Sequence, residues 1–266
     1  RMVLDMVNRF NGITPTMWQQ APIKGKSRTA QLPDETDGAL ALDYLKRIRD
    51  VAAFMSDNGQ YDSGSLGMDM AVYAYGDSGK FSPAGFLAVH EFGLLLRNEN
   101  LLPRFTAIRD RFEEFVVRHQ NFITQLGHIK GSRTRPLESA VAMYMRLFRS
   151  IEGGLSADAA IIENLRRDER LSGLQDIPAP ENTTRRRRFS RKVQEAGVVR
   201  TTLQNRERCP ICRARLPPAC RSKDHVMRKA DDGTGSLENL QFTHPYCNTG
   251  YKESLHSKAA SSGRSA

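Results

Sequence analysis

Two pairs of soft metal ligands near the end of the chain constrain its fold more than any other feature. CPIC supplies Cys209 and Cys212, and HPYC supplies His244 and Cys247, with two residues between the ligands of each pair. That spacing lets a tight turn aim two side chains at one ion. Two such turns complete a tetrahedron with zinc–sulfur distances of about 2.3 Å and zinc–nitrogen distances of about 2.1 Å. The intervening segment is short and polar and cannot bury enough apolar surface to fold unaided, so a structural Zn2+ is expected to staple it. Cys220, isolated after LPPA, is the competing ligand; if it took the fourth position, His244 would be free. A disulfide is the other use of clustered cysteines, and a chain without a secretory signal favours the metal.

The charge lies in the same region. Residues 1–180 hold 22 Lys and Arg against 22 Asp and Glu, and residues 181–266 hold 18 against 8, so the whole formal excess of +10 sits in the last third. A concentrated basic region attracts polyanions and releases their counterions, which is the footprint of nucleic-acid binding. A solvated tail is the plainer reading of the same charge. No run approaches the ~18 apolar residues of a membrane span, and RMVLDMVNRF lacks a signal-peptide core, so no membrane partner and a cytoplasmic location are expected. The chain opens on Arg1 rather than Met, which leaves room for an upstream domain.

Helical periodicity dominates the first two thirds. Leu40, Tyr44, Ile48, Val51 and Met55 form one stripe over 38–56. Ser82 and Pro83 read as N-cap and first helical position of a helix ending near Asn98. Phe105, Ile108, Phe112, Phe115 and Val116 stripe a third helix, Leu137, Val141, Tyr144, Phe148 and Ile151 a fourth that opens at Pro136, and ADAAIIENLRRDERL a last. The Gly-, Asp- and Ser-rich segment 57–81 reads as loop with a short strand at most. His90, His119 and His128 lack partner patterns and, like Trp18, are read as packing residues. The expected organisation is a predominantly helical domain over 1–177, a basic linker or arm over 178–200 containing Arg185, Arg186, Arg187 and Arg188, a zinc-stapled module over 201–256, and a disordered tail over 257–266.

Within the module the order of residues is specific. Asp224-His225 precedes an apolar residue, a basic Gly-bearing loop follows, then ENLQ with Asn239, the second ligand pair, Asn248 and Lys252. This order resembles the HNH endonucleases, also called His-Me finger or ββα-metal nucleases, over residues 205–254. The resemblance implies a small α+β ββα-metal domain behind the mainly α region and a hydrolase that cleaves DNA phosphodiester bonds. It assigns His225 as general base, Asn239 as the residue positioning it, and Asp224 and Asn248 as ligands of a catalytic Mg2+ or Mn2+. Asn248 stands where many members carry His, and His244 where many carry Cys. Imidazole exchanges protons near neutral pH, and Mg2+ prefers carboxylate and amide oxygens, so the residue types suit those tasks. Asp224 and His225 are adjacent on an expected strand, where side chains alternate, so a local twist is needed to aim both at one phosphate. Lys252, one helical turn after Asn248, shares its face and is expected to contact the DNA backbone with the Arg185–Arg188 arm.

The segment AVYAYGDSGKFSPAGFLAVHEF, followed by helices and the terminal module, also resembles bacterial restriction proteins that carry a DGQQR-motif domain upstream. No DGQQR occurs in this chain, and the resemblance implies phage defence. A homo-oligomer stays open, and a non-catalytic zinc-stapled nucleic-acid-binding module is the alternative to the nuclease.

Overall fold

The computed structural model describes residues 2–13, 36–126, 136–176 and 188–255. Trp18, His128, Arg185, Arg186, Arg187 and the tail 257–266 lie outside the described residues. The chain divides into two compact units, Arg1–Ala53 and Phe54–Ala266. The boundary falls inside a helix, and the cysteine-bearing segment shares one unit with most of the helices.

The first unit contains helix α1 (Met2–Phe10) and most of α2 (Ala39–Ser56). The Asn11 amide closes α1 by donating to Val7 O at 2.9 Å and reaches Tyr44 O of α2 at 3.4 Å.

The second unit is built on α4 (Pro83–Asn98), α5 (Leu102–Arg118) and α7 (Pro136–Glu152), with α3 (Met70–Tyr73), α6 (Asn121–Leu126), α8 (Asp158–Arg166) and α9 (Arg191–Gln204) around them. Local chemistry sets the starts. Ser82 Oγ accepts from Gly85 N at 3.1 Å with Pro83 in the first turn, and Asp69 accepts from Ala71 N at 3.0 Å to open α3, each satisfying an amide that has no partner within its helix. The expected stripes face one core. Phe92 stacks on Phe112 at 5.4 Å between ring centres and meets Phe105 edge-on at 5.3 Å, while Tyr144 meets Tyr73 edge-on at 5.8 Å. Gly93 lets α4 approach Met55, because a Cβ there would lie 2.4 Å from its sulfur.

Two segments differ from expectation. ADAAIIENLRRDERL breaks after Arg166, because Asp168 accepts from Arg170 N and starts a separate 3-10 turn over Glu169–Leu171. In 57–81 the ordered elements are α3 and an isolated Tyr75–Phe81 bridge rather than a strand. His90 packs as expected, buried against Phe86 and bonded to its carbonyl at 2.7 Å. His119 does more than pack: its two ring nitrogens face Asp158 at 3.1 Å and Asp176 at 3.3 Å.

The final element pair is a two-stranded antiparallel sheet, β1 (Ser222–His225) with β2 (Leu240–Thr243), in the register Asp224 opposite Gln241 and His225 opposite Leu240. The chain then winds through a π turn over Cys247–Tyr251 into a helical turn over 252–255. Together these make the two strands and closing helix of a ββα arrangement.

This small module is seated on α5 through buried charge. Glu113, fully buried, accepts from Arg109 Nε at 2.9 Å, from the Tyr73 hydroxyl at 3.1 Å and from Arg215 N of the cysteine-bearing segment at 2.9 Å. Arg109 also donates to Leu66 O at 2.6 Å and Gly67 O at 3.1 Å. Burial works against the Arg109 charge, yet Glu113 beside it holds the guanidinium protonated above its ordinary range. Outer pairs join in: Arg206 with Asp69 at 2.6 Å, Arg208 with Asp110 at 2.8 Å, and Arg215 with Glu114 at 3.1 Å. Removing one member of a buried pair leaves the other charge without compensation and costs about 3–5 kcal/mol. Glu113→Ala is therefore expected to lower unfolding stability by that amount in urea titrations of the zinc-loaded protein. A loss below about 1 kcal/mol, the range of exposed pairs, would show that the junction does not depend on Glu113.

Candidate functional site: a zinc staple beside a polar pocket

The four expected zinc ligands meet. Cys209, Cys212, His244 and Cys247 are all buried, and their ligating atoms lie within 4.8 Å of one another. His244 Nδ1 is 3.4 Å from Cys212 Sγ and 3.7 Å from Cys247 Sγ. A zinc tetrahedron built from the standard bond lengths has sulfur–nitrogen edges of about 3.6 Å, so these two distances match ligand spacing. His244 Nε2 donates to Arg215 O at 2.9 Å, which fixes the tautomer and leaves Nδ1 as the metal-facing atom. The hydrogen bonds of Cys212 and Cys247 hold Cys209 far below the ordinary thiol range, and Cys212, facing that thiolate, is pushed up to about 12. Three thiolates confined to this volume need a cation at their centre to ionise together, and zinc fits that need.

Cys220 is not part of the tetrad. Its thiol donates to Ser56 O at 3.2 Å, and burial pushes it up to about 11. The cysteines are all free, so a disulfide is not formed. Close packing makes Gly67 necessary beside the staple: it holds φ +56°, and a Cβ there would lie 2.7 Å from His244 Cδ2.

A second cluster lies at the end of β1. Asp224, His225, Asn248 and Lys252 line one open pocket of about 250 Å3 with Arg228, Lys229, Ala230 and Glu253. Both members of the Asp224-His225 step thus reach the same pocket. The strand ends at His225, where the alternation of side chains that holds within a strand no longer binds them to opposite faces. Asp224 is 5% exposed, and its Oδ2 accepts from Gln241 Nε2 at 2.7 Å across the sheet. Asn248 Nδ2 donates to Lys223 O at 3.1 Å and Ser222 Oγ at 3.3 Å, so the carbonyl oxygen is the atom this side chain has to offer a cation.

Asn239 closes the loop behind His225. Its Oδ1 accepts from Met227 N at 2.7 Å, its Nδ2 donates to Met227 O at 3.1 Å and Thr234 O at 2.7 Å, and its carbonyl accepts from Val226 N at 2.9 Å. The two residues after His225 are thereby fixed in place.

Lys252, expected to contact the DNA backbone, lies against Asp224 and His225. Its ammonium donates to Asp224 Oδ1 at 2.9 Å, Asp224 Oδ2 at 3.0 Å and His225 O at 2.7 Å. Arg188, the described member of the arginine run, is exposed.

Gln241, Arg228 and Lys229 were not singled out in the sequence. Gln241 could have been found from register alone, since two residues after Asn239 is the strand position that faces Asp224.

Residues 209–254 match the family model described as HNH endonuclease. The match covers less than half of the chain, and the matched segment contains the Cys3His tetrad, which could hold a metal ion. No match is found among curated proteins or among solved structures.

The staple predicts a clear metal stoichiometry. Wild type and Cys220→Ser are expected to retain one zinc per chain by elemental analysis, and the double variant Cys209→Ser, Cys247→Ser to lose it. Zinc retained by that double variant would remove the tetrad as the binding site.

Proposed function

We propose that the protein is a metal-dependent endonuclease that hydrolyses phosphodiester bonds in DNA. The observation that carries this reading is the convergence of Asp224, His225 and Asn248 on one open, basic-rimmed pocket, within the segment that matches the HNH family. A buried carboxylate and an amide oxygen form an oxygen donor set of the kind a hard divalent ion takes, so Asp224 and Asn248 would hold Mg2+ or Mn2+. When bound, that ion would polarise the scissile phosphate and offset charge on the departing oxygen.

The chain's own residues do the rest. His225 takes a proton from water as the water oxygen attacks phosphorus; the bond from phosphorus to the 3′ oxygen breaks, and a proton restores that oxygen as hydroxyl. The products are 5′-phosphate and 3′-hydroxyl ends. Asn239 holds the backbone immediately after His225 and so keeps the imidazole aimed. Gln241 fixes the Asp224 carboxylate from the facing strand. Arg228 and Lys229 rim the pocket where the phosphate backbone would run, and Arg185–Arg188 would add sequence-independent attraction. Nicking and double-strand cutting are both open to a single such centre. The biological role we infer from the resemblance is restriction of foreign DNA in bacteria.

One observation favours the alternative of a non-catalytic, zinc-stapled nucleic-acid-binding module: the Lys252 ammonium already stands on both Asp224 oxygens. Supercoiled plasmid incubated with the zinc-loaded protein and Mg2+ or Mn2+ separates the two. Wild type is expected to relax or linearise the plasmid, and His225→Ala to slow this by at least about 100-fold, the lower range for loss of a general base. Intact plasmid under both ions, with binding retained, establishes the binding module instead. Equal rates for His225→Ala remove His225 as the base.

A further inference from the structure

We infer that Lys252 is an exchangeable internal cation, one that must leave Asp224 before a divalent ion can bind and so couples metal loading to the arrival of a polyanion. This rests on the reading of Asp224 as a metal ligand. An ammonium has three protons, and Lys252 places them on Asp224 Oδ1, Asp224 Oδ2 and His225 O at 2.9, 3.0 and 2.7 Å. Every donor is satisfied, and both carboxylate oxygens are engaged. The pair is sheltered, with 15% of the Lys252 side chain and 5% of the Asp224 side chain exposed. A screened surface ion pair would be a negligible competitor; a sheltered one is not.

The carboxylate cannot serve both cations in this geometry. An ion on Asp224 at the ~2.1 Å typical of Mg2+ would stand beside the ammonium, and like charges that close repel strongly in a sheltered site. Nor does the pocket hold anionic groups enough to compensate: its lining carries Arg228 and Lys229 beside Asp224 and Glu253, and Glu253 already lies 3.8 Å from Arg228. A DNA phosphate supplies the missing negative charge. With it in the pocket, Lys252 can pivot from the carboxylate to a phosphate oxygen while the divalent ion takes Asp224 and Asn248. The expected backbone contact of Lys252 and its observed place on Asp224 are then two positions of one side chain. Its location just past the π turn, with its amide bonded back to Cys247 O, anchors the base of the side chain to the zinc staple, so that only the side chain needs to move.

The test measures metal binding rather than cleavage. Mn2+ is titrated by electron paramagnetic resonance into the full zinc-loaded chain without DNA, for wild type, Lys252→Met and Lys252→Gln, with zinc content and melting curves confirming that each variant is folded. Methionine keeps the apolar stem of lysine and removes its charge. Both variants are expected to bind one Mn2+ at least 10-fold more tightly than wild type, and Asp224→Asn added to either is expected to abolish the gain. A short phosphorothioate duplex should tighten Mn2+ binding by wild type more than by Lys252→Met. Equal or weaker Mn2+ binding in both Lys252 variants, a gain that survives Asp224→Asn, or a duplex effect of the same size in wild type and variant overturns the inference. Plasmid cleavage by wild type is read separately, so a nuclease whose Lys252 is only a structural partner is distinguishable from a protein that is no nuclease.

Discussion

Glu113 is the interaction on which the arrangement of this protein depends. One buried carboxylate receives a guanidinium from its own helix, a hydroxyl from α3 and a backbone amide from the cysteine-bearing segment. The Arg215 residue that supplies the amide also offers its carbonyl to His244 Nε2, so the helical body and the metal tetrad are two bonds apart. A buried charge is stabilising only when its hydrogen bonds are complete, and these are completed from both sides of the junction. The cysteine-bearing segment is thus set into the helical unit, with its strands and pocket held at a defined place on that body.

The tetrad and the pocket divide the labour within a few residues. His244 and Cys247 belong to the buried tetrad, while Asn248, next in sequence, turns its amide to β1 and lines the polar pocket. Asp224 and Gln241 face each other across the sheet, so the carboxylate is fixed by a neighbour on the facing strand. Fixing donors before a ligand arrives is what allows electrostatic stabilisation without reorganisation.

Much of this was legible in the sequence, for identifiable reasons. The stripes ending in Met55, Val116 and Ile151 marked helices within a residue or two because burial on one face imposes the 3.6-residue period. The tetrad was readable because paired two-residue gaps have few other uses. The partners of the charged residues were not readable, because composition reports a preference for solvent or ligand rather than where contacts form. Arg206, Arg208 and Arg215 belong to the basic third, yet their partners are Asp69, Asp110 and Glu114 of the region whose charges balance. Part of the apparent excess of positive charge is therefore internal adhesive. Lys252 shows the same limit at one residue: it lines one pocket with Asn248, but spacing does not say which anion its ammonium meets.

The Glu113 junction also sets an order of events. The amide that completes its hydrogen bonds comes from Arg215, 102 residues further along the chain. A protein that emerges from the ribosome N-terminus first forms α5 well before that partner exists, and closing so long a loop is entropically slow. Until the cysteine segment arrives, the helical body holds a half-satisfied carboxylate in its interior. Arrival of the cysteine-bearing segment is then the step that completes those hydrogen bonds.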